Sequence, residues 1–282
     1  MTALLPPPEQ IVAGVLRRAL DEDLGLAGDV TTNAVIAEGH VSTGRLVARS
    51  PGTIAGLSAA TKVFTMLDRG VVISLQAADG ESVDAGLVLA EITGSTRAIL
   101  TGERTCLNLL GRLSGIATAT ARMVRLVEGT AARIADTRKT TPGLRALEKY
   151  AVRCGGGVSH RFGLADAVLI KDNHLAAVGS LTTAVKAARE AVGHTVAIEV
   201  EVEDLGRLEE ALAVGVDAVL LDNMTSAQLE EAVAIVDGRC ITEASGGVTQ
   251  ETVRTVAATG VDIVSVGWLT HSAPHLDVAL DL

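Results

Sequence analysis

Between residues 132 and 267, short apolar runs alternate with helical patterns, and few folds accommodate that rhythm. The apolar runs lie near 132–136, 166–170, 196–202, 216–222, 240–244 and 261–267. Between them, stretches near 142–153, 180–192, 204–214, 225–236 and 249–259 repeat apolar residues at helical spacing. Runs so short and so continuously apolar suit strands buried on both faces, and helical crossovers make those strands parallel. The glycine fingerprint of a dinucleotide fold is missing, which leaves a barrel or a doubly wound sheet. A complete eightfold barrel takes about 250 residues. The span is too short for that, so an incomplete barrel is expected.

In a parallel barrel the carboxyl ends of the strands open on one face. Here those ends carry Asp136-Thr137-Arg138-Lys139, Lys171-Asp172-Asn173-His174, Glu201, Asp222-Asn223, Ser245-Gly246-Gly247 and Gly267. Cations, two separated carboxylates and two glycine-bearing loops complement a magnesium-bound, multiply phosphorylated ligand. Glycine loops offer backbone N–H groups to phosphate, and carboxylates hold the metal directly or through water. Glu199, Glu201 and Glu203 share one strand face by period two. Of these, Glu201 is expected to reach the metal and Glu203 to face solvent.

The stretch 136–174 concentrates positive charge, with seven Lys/Arg against four acids in a chain of net charge -10. A local cationic surplus reverses the long-range repulsion of anions by an acidic protein. Inside it, Arg145, Glu148, Lys149 and Arg153 are expected on a solvated helix face. The four-residue spacing of Arg145, Lys149 and Arg153 leaves an anion-facing alternative open. Three glycines at 155–157 and the pair His160-Arg161 follow.

The first part of the chain has a different character. A helix is expected over 9–24 and another over 58–67, with short strands at 44–49, 53–56, 71–77, 87–93 and 97–100. The segment 79–94 is similar to the turn of a lipoyl or biotinyl half-sandwich, but it has no lysine to carry a cofactor, so a structural role is expected. A long helix is expected over 102–128, with Thr101 as N-cap. Arg104 in its first turn opposes the helix dipole by roughly 0.3–1 kcal/mol, which fits either an exposed side chain or one that reaches an anion.

Aromatic residues make up only 1% of the chain, so base-stacking platforms are nearly missing, and no extended basic tract is present. Neither a nucleic acid nor a membrane surface is an expected partner. No run of 18 apolar residues occurs, and the amino-terminal decapeptide lacks the basic and apolar regions of a secretory signal. Three dispersed cysteines, Cys106, Cys154 and Cys240, read as reduced core thiols of a cytoplasmic protein. His271 and His275 have HxxxH spacing without a further ligand cluster, so no zinc site is expected.

The segments EDLGLAGDVTT, LTGERTCLNLLGRLSGIAT, DTRKTTPGLRALEKYAVRCGGG, SHRFGLADAVLIKDNH, EVEVED, LLDNM, ASGGVT and VGWLTHS resemble quinolinate phosphoribosyltransferases through nearly the whole chain. The resemblance implies an N-terminal α+β open-sandwich domain at 1–108 and an incomplete parallel α/β barrel at 109–271. The tail 272–282 is a candidate to pack on the first domain. It also implies a homodimer with shared active sites, or a higher oligomer. The implied reaction joins quinolinate to phosphoribosyl pyrophosphate with Mg²⁺, giving nicotinate mononucleotide, pyrophosphate and CO₂. By similarity, Arg104 would reach the partner subunit's site. Arg104, Arg138, His160, Arg161 and Lys171 would grip the quinolinate carboxylates, with Thr137 and Lys139 facing the phosphoribosyl donor. Lys139, Lys171, Glu201 and Asp222 would carry the chemistry, and Glu201 and Asp222 would hold Mg²⁺. Ser245, Gly246, Gly247, Val266, Gly267 and Trp268, with His271, would take the 5′-phosphate. Ser159 and Trp268 depart from the usual pattern, which has asparagine and a small residue there. Two alternatives remain: a pyrophosphorylase-like homologue of the kind encoded near molybdate transporters, with another acceptor, and a non-catalytic anion-binding module.

Overall fold

The computed structural model describes residues 4–282, so the first three residues of the amino-terminal stretch lie outside the described residues. In chain order come α1 (Glu9–Leu24), α2 (Val30–Val35), β1 (Val41–Ala48), β2 (Gly52–Thr53), α3 (Leu57–Leu67), β3 (Val72–Leu75), β4 (Ser82–Val83), β5 (Val88–Ser95) and α4 (Thr96–Leu126). There follow β6 (Arg133–Ala135), α5 (Arg145–Cys154), β7 (Val168–Ile170), α6 (Asp172–Val178), α7 (Leu181–Ala191), β8 (Ile198–Val202) and α8 (Leu205–Ala213). The chain ends with β9 (Ala218–Asp222), α9 (Ser226–Val236), β10 (Ile241–Ser245), α10 (Val253–Ala258), β11 (Ile263–Ser265), α11 (Trp268–His271) and β12 (Val278–Asp281). Two compact units form. One comprises the chain up to Ala121 with Thr140–Gly156 and Leu269–Leu282, the other Arg122–Lys139 with Gly157–Trp268.

The first unit holds an antiparallel sheet of order β12-β1-β5-β3 and a small pair, β2-β4. The carboxyl terminus supplies the edge strand, with Arg45 opposite Asp281. Helix α1 buries the stripe Val12, Val15, Leu16 and Leu20, and α3 buries Leu57, Ala60, Val63 and Phe64.

Several local expectations fail here. Residues 97–100 are helical rather than a strand, because α4 starts at Thr96 and runs for 31 residues. Thr101 therefore lies inside the helix; its hydroxyl donates to Asp29 Oδ2 at 3.0 Å. β-branched Thr96, Ile99 and Thr101 favour a strand locally, but burial of Ile99, Cys106, Leu110 and Leu113 along one helix overrides that preference. The division expected at 108/109 lies within this helix. Helices α2 and α6, of six and seven residues, are too short to show two turns of periodicity, and the sequence patterns miss them.

The solvated-face reading of α5 fails for two of its four residues, while Arg145 and Arg153 stay half-exposed. Glu148 is fully buried and Lys149 is 3% exposed. The Glu148 carboxylate accepts from Arg112 Nε at 3.1 Å and Nη2 at 2.9 Å, and from Thr141 N–H at 2.9 Å and hydroxyl at 2.8 Å. Arg112 also donates to the carbonyls of Thr270 and Ala273. A charge row on one helix cannot reveal that a distant segment supplies its counter-charge.

The second unit is a six-stranded sheet of order β6-β11-β10-β9-β8-β7, with every pair parallel. Its strands coincide, to within two residues at either end, with the six apolar runs. β6 and β7 end the order and do not pair with each other, so the barrel is incomplete. Val200, Val219, Leu221 and Val264 are fully buried in it. Ser180, Asp204 and Thr225 cap α7, α8 and α9 by accepting backbone N–H groups, which ends each preceding loop sharply.

Candidate active site

A cavity of about 560 Å³ opens at the carboxyl ends of this sheet. Thr137, Arg138 and Lys139 enter it after β6, Lys171 after β7 and Glu201 from β8. Asp222 comes from the end of β9, and Glu243 and Ser245 come from β10. His160, Arg161, Asn223, Gly246, Gly247 and Ser265 complete its polar wall. Thus eleven expected residues share one cavity: Thr137, Arg138, Lys139, His160, Arg161, Lys171, Glu201, Asp222, Ser245, Gly246 and Gly247.

The backbone explains how distant residues arrive together. Val158 bridges to Ala135 as a short parallel extension of β6, with its N–H on the Ile134 carbonyl at 2.8 Å. That anchor brings the His160 N–H to Asp136 Oδ1 at 2.9 Å, and Asp136 is fully buried. Arg161 follows, with Nη1 donating to the Ala167 carbonyl at 3.0 Å. On the neighbouring strands, register sets Glu201 opposite Leu220, Leu220 opposite Glu243, and Asp222 opposite Ser245.

Two guanidinium groups share this cavity. Burial lowers the pKa of the Arg161 guanidinium, and the nearby Arg138 charge lowers it further, against the raising influence of Glu199 and Asp166. Two cations held together out of water are costly unless something negative joins them. Lys171 Nζ is ion-paired with Glu201 Oε2. Asp222 Oδ2 accepts from Asn223 Nδ2 at 2.7 Å.

Gly246 and Gly247 both have positive φ, +99° and +61°. A Cβ on Gly246 would come within 2.2 Å of Asn223 Oδ1 and 2.9 Å of Asn223 N, so only glycine lets the loops after β9 and β10 meet. Asn223 N–H donates to the Ser245 carbonyl at 2.9 Å, fixing the two loops as one surface.

Glu201 and Asp222 are carboxylate oxygens on adjacent strands in a polar, roomy cavity, and that hard donor set fits Mg²⁺, which keeps several of its waters. A tighter group lies nearby: His160, Glu199 and Glu243 each offer an atom within 4.8 Å of the others. His160 Nε2 stands 3.2 Å from Glu199 Oε2 and 3.5 Å from Glu243 Oε1. Its Nδ1 accepts the Arg161 backbone N–H at 2.7 Å, which puts the ring proton on Nε2, facing the two acids. Both ring nitrogens are thus engaged within the protein, and His160 would have to break one contact to grip a carboxylate directly.

The remaining expected residues lie elsewhere. Val266 is buried, and Trp268 Nε1 donates to the Val248 carbonyl at 3.0 Å; neither they nor Gly267 line the cavity. Arg104 and His271 belong to the first unit, where Arg104 lines a separate cavity of about 370 Å³ with Glu22, Asn108 and Arg112. Sequence reasoning missed Glu243. Its signal was present, since an acid inside a continuously apolar, doubly buried strand is costly and needs a cause.

Comparison with known proteins identifies the family of the chain. The family model described as quinolinate phosphoribosyl transferase, N-terminal domain, matches residues 29–114, and the corresponding C-terminal domain model matches residues 116–281. The chain is 47% identical to the nicotinate-nucleotide pyrophosphorylase (carboxylating) of Mycobacterium leprae, over 95% of each chain. It is 46% identical to the probable enzyme of that name from Bacillus subtilis, over 93% of this chain and 90% of the relative. The crystal structure of NadC from Streptococcus pyogenes superposes with a TM-score of 0.94 at 42% identity, covering 100% of this chain and 98% of that one.

Proposed function

The chain belongs to the quinolinate phosphoribosyl transferase family, and from that premise we propose that it transfers a phosphoribosyl group from phosphoribosyl pyrophosphate to quinolinate with decarboxylation. The products are nicotinate mononucleotide, pyrophosphate and CO₂, in NAD biosynthesis. One observation carries the reading to this chain: Arg138 and Arg161 crowd together with Lys139 and Lys171 on one cavity that also holds Glu201, Asp222 and a glycine turn.

Both reactants are polyanions, and their mutual repulsion must be overcome before any bond changes. Arg138, Arg161 and Lys171 hold the quinolinate carboxylates, which fixes the ring nitrogen for attack on C1 of the ribose. His160 acts here mainly by orienting Arg161. Lys139, at the cavity mouth, stabilises charge developing on the departing pyrophosphate. Ser245, Gly246 and Gly247 offer a hydroxyl and backbone N–H groups to the 5′-phosphate. Glu201 and Asp222 would hold Mg²⁺, which when bound neutralises diphosphate charge. Lys171, now paired with Glu201, would turn towards the substrate carboxylate if that pair opens.

Arg104 lies in a different unit from this cavity, and its role is to complete the site of a second copy in a homodimer. Dispersed, unpaired cysteines support action in a reducing cytoplasm, and no helix of the described residues is long and apolar enough to cross a membrane.

The test is direct. Purified protein with quinolinate, phosphoribosyl pyrophosphate and Mg²⁺ forms the mononucleotide and releases CO₂; no product above a control without enzyme rules the reading out. Arg104→Ala and Lys139→Ala are each inactive, and mixing them restores part of the activity. A mixture that stays inactive speaks against shared sites.

A further inference from the structure

The reaction proposed above consumes a proton. When CO₂ leaves, the electron pair of the broken C–C bond stays on C2 of the pyridinium ring, and a C2–H bond must take its place. The cations of the cavity are poor acids at neutral pH: ordinary arginine titrates above about 12 and ordinary lysine near about 10.4. Glu243 differs from all of them. It lines the same cavity, its side chain is 8% exposed, and its Oε1 has no hydrogen-bond partner.

The groups facing Glu243 come from every neighbouring element. Glu199 on β8 and Asp136 after β6 contribute negative charge, His160 brings Nε2 to 3.5 Å, and Ser265 on β11 contributes a hydroxyl. An ionised Glu243 would lie out of water beside a second acid, so the neutral carboxyl is favoured.

We propose that Glu243 is the general acid that protonates C2 after decarboxylation. The bond from C2 to its carboxylate breaks heterolytically. Its pair stays on C2, stabilised by the adjacent positive nitrogen, and CO₂ departs. That pair then takes the proton of the Glu243 O–H, leaving a carboxylate that the Nε2–H of His160 steadies until water returns the proton. No oxidant or further reactant is needed. Burial first, and then the charge of Glu199, push Glu243 up to about 7. An acid in that range both holds its proton at neutral pH and gives it up readily.

The inference rests on the function proposed above, so wild-type turnover is measured first. If wild type forms no mononucleotide, that functional reading fails and the inference falls with it. Given turnover, Glu243→Gln should slow single-turnover formation of the mononucleotide at least about 100-fold. Quinolinate affinity, measured by equilibrium binding, should change less than about threefold, because the amide keeps the shape of the acid. A rate within about threefold of wild type overturns the proposal, as does a loss matched by an equal loss of quinolinate binding. A measurement on wild type alone decides the matter if the variant does not fold. Its single-turnover rate should fall about tenfold per pH unit above the cluster's ionisation and slow at least about twofold in D₂O. A rate flat from about pH 6 to 9 with no solvent isotope effect overturns it.

Discussion

Lys171 and Glu201 are ion-paired across the neighbouring strands β7 and β8, so a cation expected to hold one reactant and a carboxylate expected to hold the other are bound to each other. The lysine side chain is 43% exposed and the glutamate 11%. Each neutralises the other, and each becomes available when the pair opens.

Lys171→Met should therefore act on binding more than on folding. Because the lysine end reaches solvent, its ion pair contributes about 1 kcal/mol or less to stability. The KM for quinolinate should rise at least about tenfold, since a buried charge contact to the substrate carboxylate is lost. Steady-state kinetics beside a thermal melt checks this, and an unchanged KM removes Lys171 from quinolinate binding.

Glu148→Ala should behave in the opposite way. It removes the carboxylate facing Arg112, whose side chain is 14% exposed and keeps the Thr270 and Ala273 carbonyls, and it leaves the Thr141 N–H without its acceptor. Breaking a buried pair by removing one partner costs about 3–5 kcal/mol. For a chain of this size that lowers Tm by roughly 10 °C. A Tm within about 2 °C of wild type would show that the pair contributes little.

Gly246→Ala should weaken the phosphoribosyl donor selectively. The added methyl meets Asn223 and the φ of +99° disfavours any side chain, so both joined loops must shift. We expect the KM for phosphoribosyl pyrophosphate to rise at least about tenfold, with quinolinate binding changed far less. Equal loss for both reactants would mean that the whole cavity collapsed.

The stability of the protein should depend on pH through Glu243. Its folded pKa of about 7 lies above the ordinary 4.5, so the folded state holds this proton more tightly than the unfolded chain. The resulting stabilisation is complete below pH 4.5 and is lost as pH rises towards about 7. Relative to Glu243→Gln, wild type should lose on the order of 1–3 kcal/mol across that window. Urea unfolding of both proteins at several pH values measures it. A constant difference between them would mean that folding leaves the Glu243 pKa unshifted.

The parallel sheet was legible because it obeys a local rule: strands buried on both faces must be continuously apolar, and the six runs from 132 to 267 are. The cavity followed from the same rule, since parallel strand ends share one face whatever their sequence separation. This is why the sequence alone groups Arg138, Lys171, Glu201, Asp222 and Gly246, which share the cavity. Helix α4 shows where local reading fails, because burial of Ile99 over a long helix outweighs the strand preference of its β-branched neighbours.

The sequence by itself determined which charges stand at the strand ends, because chain order and period-two alternation suffice to place them. Only the tertiary structure decided which of those charges neutralise one another. Glu148 meets Arg112 from 36 residues away, Lys171 meets Glu201, and His160 turns its ring between Glu199 and Glu243. Whether a buried charge is a cost or a tool depends on distances of a few ångströms between residues remote in the chain, and no local pattern encodes them.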